Sequence, residues 1–233
     1  MPDLFQIAKR ISDRWYFVKS NVVREKELSL SYFKYRLFRP LLKIYNKILV
    51  LSFGKNKPWL SPASIKILEE SLNKKMNGLE YGSGRSTIYF SMKVKQLTCI
   101  EHHSEWFSLV SKELSNNNIG NVDYIKIPVP LEESKEDIKI RYSHDFDHEN
   151  DIYREYYEKV SEYPDSSFDF ILIDGRARVE CSSRAITKLK SGGMFILDNS
   201  ERKRYQPVHD KLSGWKKINT TTGLTDTTFW FKP

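Results

Sequence analysis

The stretch Glu80-Tyr81-Gly82-Ser83-Gly84-Arg85-Ser86-Thr87 narrows the folds open to this chain more than any other. A short apolar run around Leu79 leads into it, and Ile88, Tyr89, Phe90 and Met92 follow at helical spacing. The order is strand, glycine turn, helix. Gly82 and Gly84 allow a sharp turn and a close approach of backbone to a ligand. The helix that follows offers free N–H groups and the positive end of its dipole to a charged group. A second apolar run, Leu97-Thr98-Cys99-Ile100, ends in Glu101. A carboxylate at the end of the second strand is the usual partner of ribose hydroxyls. Together these features describe a seat for an adenosine-containing cofactor; the plain alternative is a tight turn with no ligand.

Two later segments fall in register with this reading. Phe168 to Gly175 reads as a buried strand ending in an acid, Asp174, and Gly192 to Asn199 as another. A helical pattern from Cys181 to Leu189 lies between them. Alternating strands and helices argue for a parallel sheet. Strands are expected at 78–82, 96–101, 122–127, 168–174 and 193–198, with a last pair near 215–221 and 227–232 around a turn rich in Thr and Gly. Ser61 and Pro62 suit the N-cap and first position of a helix from Ala63 to about Leu72. Ligands of such sheets sit at the carboxyl ends of strands, where Glu80, Glu101, Asp174, Asp198 and Asn199 would gather.

Two departures from the dinucleotide fingerprint bear on which cofactor fits. Thr87 stands where that fingerprint has its third glycine, and Glu80 would repel a pyrophosphate. The same carboxylate would suit the positively charged amino-acid end of S-adenosylmethionine (SAM). Glu-x-Gly-x-Gly resembles the first motif of class I SAM-dependent methyltransferases. The resemblance covers about Trp59 to Pro233. It implies an α/β, Rossmann-like fold: a mostly parallel seven-stranded sheet with a C-terminal antiparallel hairpin. It also implies that SAM is held by Glu80, Gly82, Ser83, Gly84, Ser86, Thr87, Glu101, His102 and Asp174. Asp174 with Asp198-Asn199 looks like the metal site of catechol-type, magnesium-dependent O-methyltransferases, and the chain is also similar to macrocin-type sugar O-methyltransferases. That likeness implies Mg2+ on Asp174, Asp198 and Asn199.

Methyl transfer from SAM is a displacement at a methyl carbon on a sulfonium, and the acceptor must lose a proton. A divalent ion would lower the hydroxyl pKa, and oxygen ligands suit magnesium. The alternative is that Asp174 contacts cofactor or substrate while Asp198-Asn199 cap a helix. The catechol-type family has a lysine base three residues beyond its first metal-ligating acid; here that position is Ala177, between Arg176 and Arg178. Arginine is too basic to serve. Among His102, His103, His144, His148 and His209, His144 is preferred as base, with Asp174, because it lies in the long polar stretch Pro128–Pro164. Arg176 and Arg178 could bind an anionic substrate or pair with nearby acids. No Asn/Asp-Pro-Pro-Tyr/Phe segment follows the fourth strand, which favours O-methylation of a small-molecule or sugar hydroxyl over methylation of a base amine. A SAM-binding protein without catalysis, associated with a membrane or complex, is the rival reading; a nicotinamide-dependent oxidoreductase is disfavoured by Glu80 and Thr87.

Charge is unevenly spread. The chain has 38 Lys+Arg and 30 Asp+Glu; residues 1–58 hold 13 and 4 of these, a net of +9, which leaves 25 and 26, a net of −1, for the rest. Residues 1–58 are therefore expected to form a basic helical segment, joined through Gly54–Pro58 to a methyltransferase domain over 59–233. Leu4, Ile7, Ala8, Ile11, Trp15, Val18 and Val22 recur at helical spacing; a second helix is expected from Leu30 to about Phe38, stopped by Pro40, and a third over Leu41–Leu51. This segment reads either as a cap on the catalytic domain, serving also as a homodimer interface, or as a surface for anionic membrane. No nucleic-acid module is evident, so nucleic acid is an unlikely partner. Cys99 and Cys181 fall in core elements and make no disulfide framework. Early charges break any signal peptide. The expected location is cytoplasmic, or peripheral at the membrane.

Overall fold

A computed structural model describes residues 3–14, 30–52, 57–129 and 152–233. Seven strands form one sheet: β1 (Asn77–Tyr81), β2 (Gln96–Glu101), β3 (Val122–Lys126), β4 (Phe168–Ile173), β5 (Leu189–Asp198), β6 (Lys216–Thr221) and β7 (Asp226–Phe231). Their spatial order is β3-β2-β1-β4-β5-β7-β6. The first five run parallel, and β7 pairs antiparallel with both β5 and β6. The seven strands were all legible in the pattern; the main difference is β5, which starts at Leu189 rather than 193 because Leu189 already pairs with Phe168 of β4 before the register shifts to Met194.

Strands β4 and β5 read as apolar runs because both faces of the sheet are covered. On β4, Phe170 and Leu172 face one core, while Ile171 and Ile173 face the other. A bulge between Phe168 and Phe170 places Phe168 with the second set. The first core joins the sheet to α1 (Leu4–Arg14), α3 (Pro62–Ser71) and α4 (Arg85–Ser91). The second joins it to α6 (Arg154–Glu158), α7 (Arg178–Ala185) and α8 (Gln206–Lys211). Helix α5 (Ser104–Asn116) follows β2. Trp230, Phe170 and Tyr156 are among the largest fully buried side chains. Burial of each is worth about 2–3 kcal/mol.

Local chemistry sets several boundaries. Ser61 caps α3, accepting the Ser64 N–H at 3.0 Å, with Pro62 at the first position. Asp3 does the same for α1, accepting from Phe5 and Gln6. Leu4, Ala8 and Ile11 of α1 enter the first core, and Phe5 meets Phe231 edge-on at 5.5 Å. The expected stop at Pro40 does not occur: α2 (Leu30–Ser52) is one helix that runs through it. Proline removes a single ladder hydrogen bond there, and strong helix formers flank it. Asn46 of α2 donates to Thr222 O at 3.0 Å and so reaches the β6–β7 turn. The continuation of the first helical stripe at Trp15, Val18 and Val22 lies outside the described residues.

Candidate functional site

The sheet order reverses between β1 and β4, and the carboxyl ends of strands at such a reversal are where these sheets carry their ligand-binding crevice. Gly82 leaves β1 at φ +87°, a conformation that favours glycine, and its N–H bonds to Ile100 O at 3.0 Å. A Cβ at Gly82 would lie 2.6 Å from the backbone of Gly175, in the turn after β4. A Cβ at Gly175 would lie 2.1 Å from the Tyr156 hydroxyl. Gly84 is extended, and a Cβ there would meet only Trp106 at 3.6 Å.

Glu80 is fully buried at the end of β1. Its Oε2 accepts from Thr87 Oγ1 at 2.7 Å, and the same Thr87 oxygen accepts the Gly84 N–H at 2.9 Å. Oε1 has no hydrogen-bond partner. Burial pushes the Glu80 carboxyl up to about 7, against the lowering effect of Ser86, Thr87 and Cys99. Thr87, which stands where a dinucleotide site has glycine and was expected among the SAM contacts, is thus the clamp that ties turn, helix and carboxylate together. Ser86 lies beside it in the first turn of α4.

Glu101 closes β2 with a different environment. Oε2 accepts both the N–H and the hydroxyl of Ser83 at 2.8 Å; Oε1 accepts the N–H groups of His102 and His103 at 2.8 Å. Burial alone would raise its pKa, but hydrogen bonds from His102, His103 and Ser83 outweigh it and bring the value down to about 2. Glu101 is a fixed anion. The Ser83 hydroxyl also lies 2.7 Å from Tyr124 Oη, and Trp106 Nε1 donates to Ser83 O. The His102 ring sits 5.3 Å from both Tyr153 and Tyr156, which walls this side of the crevice with aromatic edges.

Asp174 and Asp198 lie at the ends of adjacent strands β4 and β5, and Arg178 of α7 lies between them. Its guanidinium donates to Asp174 Oδ1 and Asp174 O at 2.8 Å, to Gly175 O at 2.9 Å, and to Asp198 O; it stands 3.9 Å from Asp198 Oδ2. Thr227 donates to Asp198 Oδ1 at 2.8 Å. Burial and then the Asp174 charge push Asp198 up to about 7, although Arg178 and Thr227 oppose this. Asn199 takes a left-handed backbone, φ 52°, just beyond. The two acids and Asn199 come together as a group. They do not fit a divalent ion as they stand, because a buried guanidinium already bridges the carboxylates. Of the two roles open to Arg178, pairing with acids is the one the structure shows.

Ala177 precedes α7 in a left-handed conformation, φ 45°. An open cavity at this end of the sheet is lined by Tyr153, Arg176, Arg178, Arg202, Arg204 and Tyr205. The histidines disperse. His103 caps α5 by accepting from Trp106 N; His209 bonds Ser200 O at 2.9 Å and stacks edge-on to Trp230. His144 and His148 lie outside the described residues. Tyr156 and Val160, with Ile152 at the margin, form the expected packing face of the segment before β4. Sequence reasoning missed Tyr153 as a wall of the site; its spacing from Tyr156 and Tyr157 was the only signal.

No protein-family model matches the chain, and no curated protein matches it. Solved structures do. A methyltransferase-like protein from Silicibacter pomeroyi DSS-3 aligns over 77% of this chain and 90% of its own, with 20% identity and a TM-score of 0.55. A methyltransferase from Pyrococcus furiosus aligns over 83% and 98%, with 17% identity and a TM-score of 0.48. For the YcgJ protein from Bacillus subtilis the figures are 55%, 45%, 16% and 0.37, so this chain spans less than half of that protein. At such identities the likeness is one of architecture: the chain has the Rossmann-like fold of methyltransferases, a mostly parallel seven-stranded sheet ending in an antiparallel hairpin.

Proposed function

We propose that the chain is a SAM-dependent methyltransferase that methylates a hydroxyl of a small-molecule or sugar acceptor. The observation that carries this reading is the fully buried Glu80 carboxylate, with one oxygen unpartnered at the switch point of a methyltransferase fold. A buried acceptor without a donor is costly unless a ligand supplies one. The ammonium of SAM would supply it. Glu101 would take the ribose hydroxyls once the Ser83 hydroxyl turns away, since its two oxygens already accept four hydrogen bonds. SAM supplies an electrophilic methyl group; its carbon–sulfur bond breaks as a carbon–oxygen bond forms, and the acceptor proton passes to a base.

Asp174 is the candidate for orienting or deprotonating the acceptor, because it is partly exposed at the mouth of the crevice while Arg178 holds one of its oxygens. His144 remains the alternative base. In this reading no Mg2+ takes part: Arg178 supplies a fixed positive charge where Asp174, Asp198 and Asn199 converge. Arg176, Arg202 and Arg204, which line the adjacent cavity beside the acid-paired Arg178, suit an acceptor that carries a carboxylate or phosphate as well as its hydroxyl.

The test is a screen of hydroxylated acceptors, with and without anionic groups, using labelled SAM in the presence and absence of a chelator. Label transfer that survives chelation supports the metal-free reading, and transfer restored only by added magnesium overturns it. Calorimetry alongside checks the cofactor: SAM should bind, and Glu101→Ala should cost about 1–3 kcal/mol of that binding. SAM binding without transfer to any acceptor would favour the rival reading of a non-catalytic SAM-binding protein.

A further inference from the structure

The surface with the clearest claim to a partner is on α2, far along the chain from the crevice residues. Phe33, Leu37, Leu41, Ile44 and Ile48 are each between 59% and 66% exposed. At roughly 100° per residue they fall within about 80° of arc, one continuous stripe along the helix. Phe38 and Tyr45 widen it on one side. The opposite side is the one that touches the protein: Asn46 donates to Thr222 O, and Leu42 lies where a Cβ on Gly223 would meet it at 3.0 Å. The apolar stripe therefore points away from the body. A run of large apolar side chains this exposed is a binding surface rather than scattered surface hydrophobicity.

Charge decides the occupant. Helix α2 contains no Asp or Glu, and Arg36, Lys43 and Lys47 are all exposed along the flank beside the stripe. A second copy docking through the same face would bring two such cationic helices together. An apolar stripe bordered by cations instead matches the interface of an anionic bilayer, where acyl chains take the stripe and headgroups meet the cations. Among the described residues no helix is long and apolar enough to cross a membrane, so α2 would lie along the surface. We infer that α2 is an amphipathic anchor that seats this protein on anionic lipid. Helix α1 does not compete for this role: Leu4, Ala8 and Ile11 of its expected apolar stripe are buried in the first core, which makes α1 a cap on the sheet.

The experiment is co-sedimentation of the full chain with phosphatidylcholine vesicles and with vesicles in which about a third of the lipid is phosphatidylserine. Binding to the anionic vesicles should be at least about tenfold tighter than to the neutral ones, and should weaken several-fold when salt shortens the Debye length to about 3 Å. Leu41→Glu with Ile44→Glu should lose at least about tenfold in binding, since a charge on the stripe must enter the acyl region. Lys43→Glu with Lys47→Glu should abolish the preference for anionic lipid. All four positions are exposed, so melting temperature should not change, and that measurement separates lost binding from lost folding. The inference is overturned by a wild-type chain that ignores anionic vesicles at low salt, or by a Leu41→Glu/Ile44→Glu chain that binds as well as wild type. It is equally overturned by a dimer in solution that those two substitutions dissociate while lipid binding is absent.

Discussion

Replacing Glu80 by Gln separates the cost of the buried carboxylate from its use. The folded chain holds this group near 7 against an ordinary 4.5, with burial as the leading cause. Below pH 4.5 the side chain is protonated in folded and unfolded chains alike, and no penalty arises. Between pH 4.5 and about 7 the unfolded chain releases the proton while the folded chain keeps it, so stability falls as pH rises. The gap of about 2.5 units corresponds to roughly 3 kcal/mol by pH 8. Gln never ionises, can still accept from Thr87 through its carbonyl, and turns an amide donor toward the site of Oε1. At pH 8 without ligand, Glu80→Gln should therefore be more stable than wild type by up to about 3 kcal/mol, a rise in melting temperature of roughly 6–12 °C for a chain of this size. At pH 4 the two should melt alike. Cofactor binding should respond in the opposite sense: a neutral amide cannot pair with an ammonium, so the variant should lose about 1.5–3 kcal/mol of SAM affinity. Wild-type affinity should rise as pH approaches 7, with a proton released on binding. Thermal melts from pH 4 to 8 and calorimetry in buffers of different ionisation enthalpy read both effects. Parallel stability curves, or unchanged SAM affinity in the variant, would refute the reasoning.

Two further outcomes follow from the crevice. Gly82→Ala should destabilise the chain by about 1–3 kcal/mol, because φ +87° and a 2.6 Å approach to Gly175 are both hostile to a Cβ, whereas Gly84→Ala should cost under about 1 kcal/mol; denaturant melts compare them. Tyr156→Phe removes a buried hydroxyl that has no partner and should be neutral or stabilising by up to about 1 kcal/mol, unless the hydroxyl meets ligand, in which case SAM or acceptor affinity falls while the melt is unchanged.

Much of this protein is legible along the chain. The seven strands and the glycine turn were readable because buried parallel strands need continuous apolar runs, and because the turn out of β1 needs a residue such as Gly82. Ser61-Pro62 announced α3 by local capping chemistry. Glu80, Glu101, Asp174 and Asp198 were placed at strand ends by spacing alone. The rest depended on contacts between distant residues. Thr87 departed from the dinucleotide fingerprint, and only the fold set its hydroxyl against Glu80. Arg178 could have faced a substrate; packing of α7 beneath β4 and β5 turned it onto Asp174 and Asp198, where a metal had been expected. Glu101 looked free for ribose, yet the turn brings Ser83 back onto it. Residues 1–58 showed apolar stripes and cations in two helices alike, and periodicity cannot say which stripe is covered. Only the tertiary structure buries that of α1 and leaves that of α2 facing outward, because burial belongs to the surfaces a helix meets, whereas its pattern belongs to the helix.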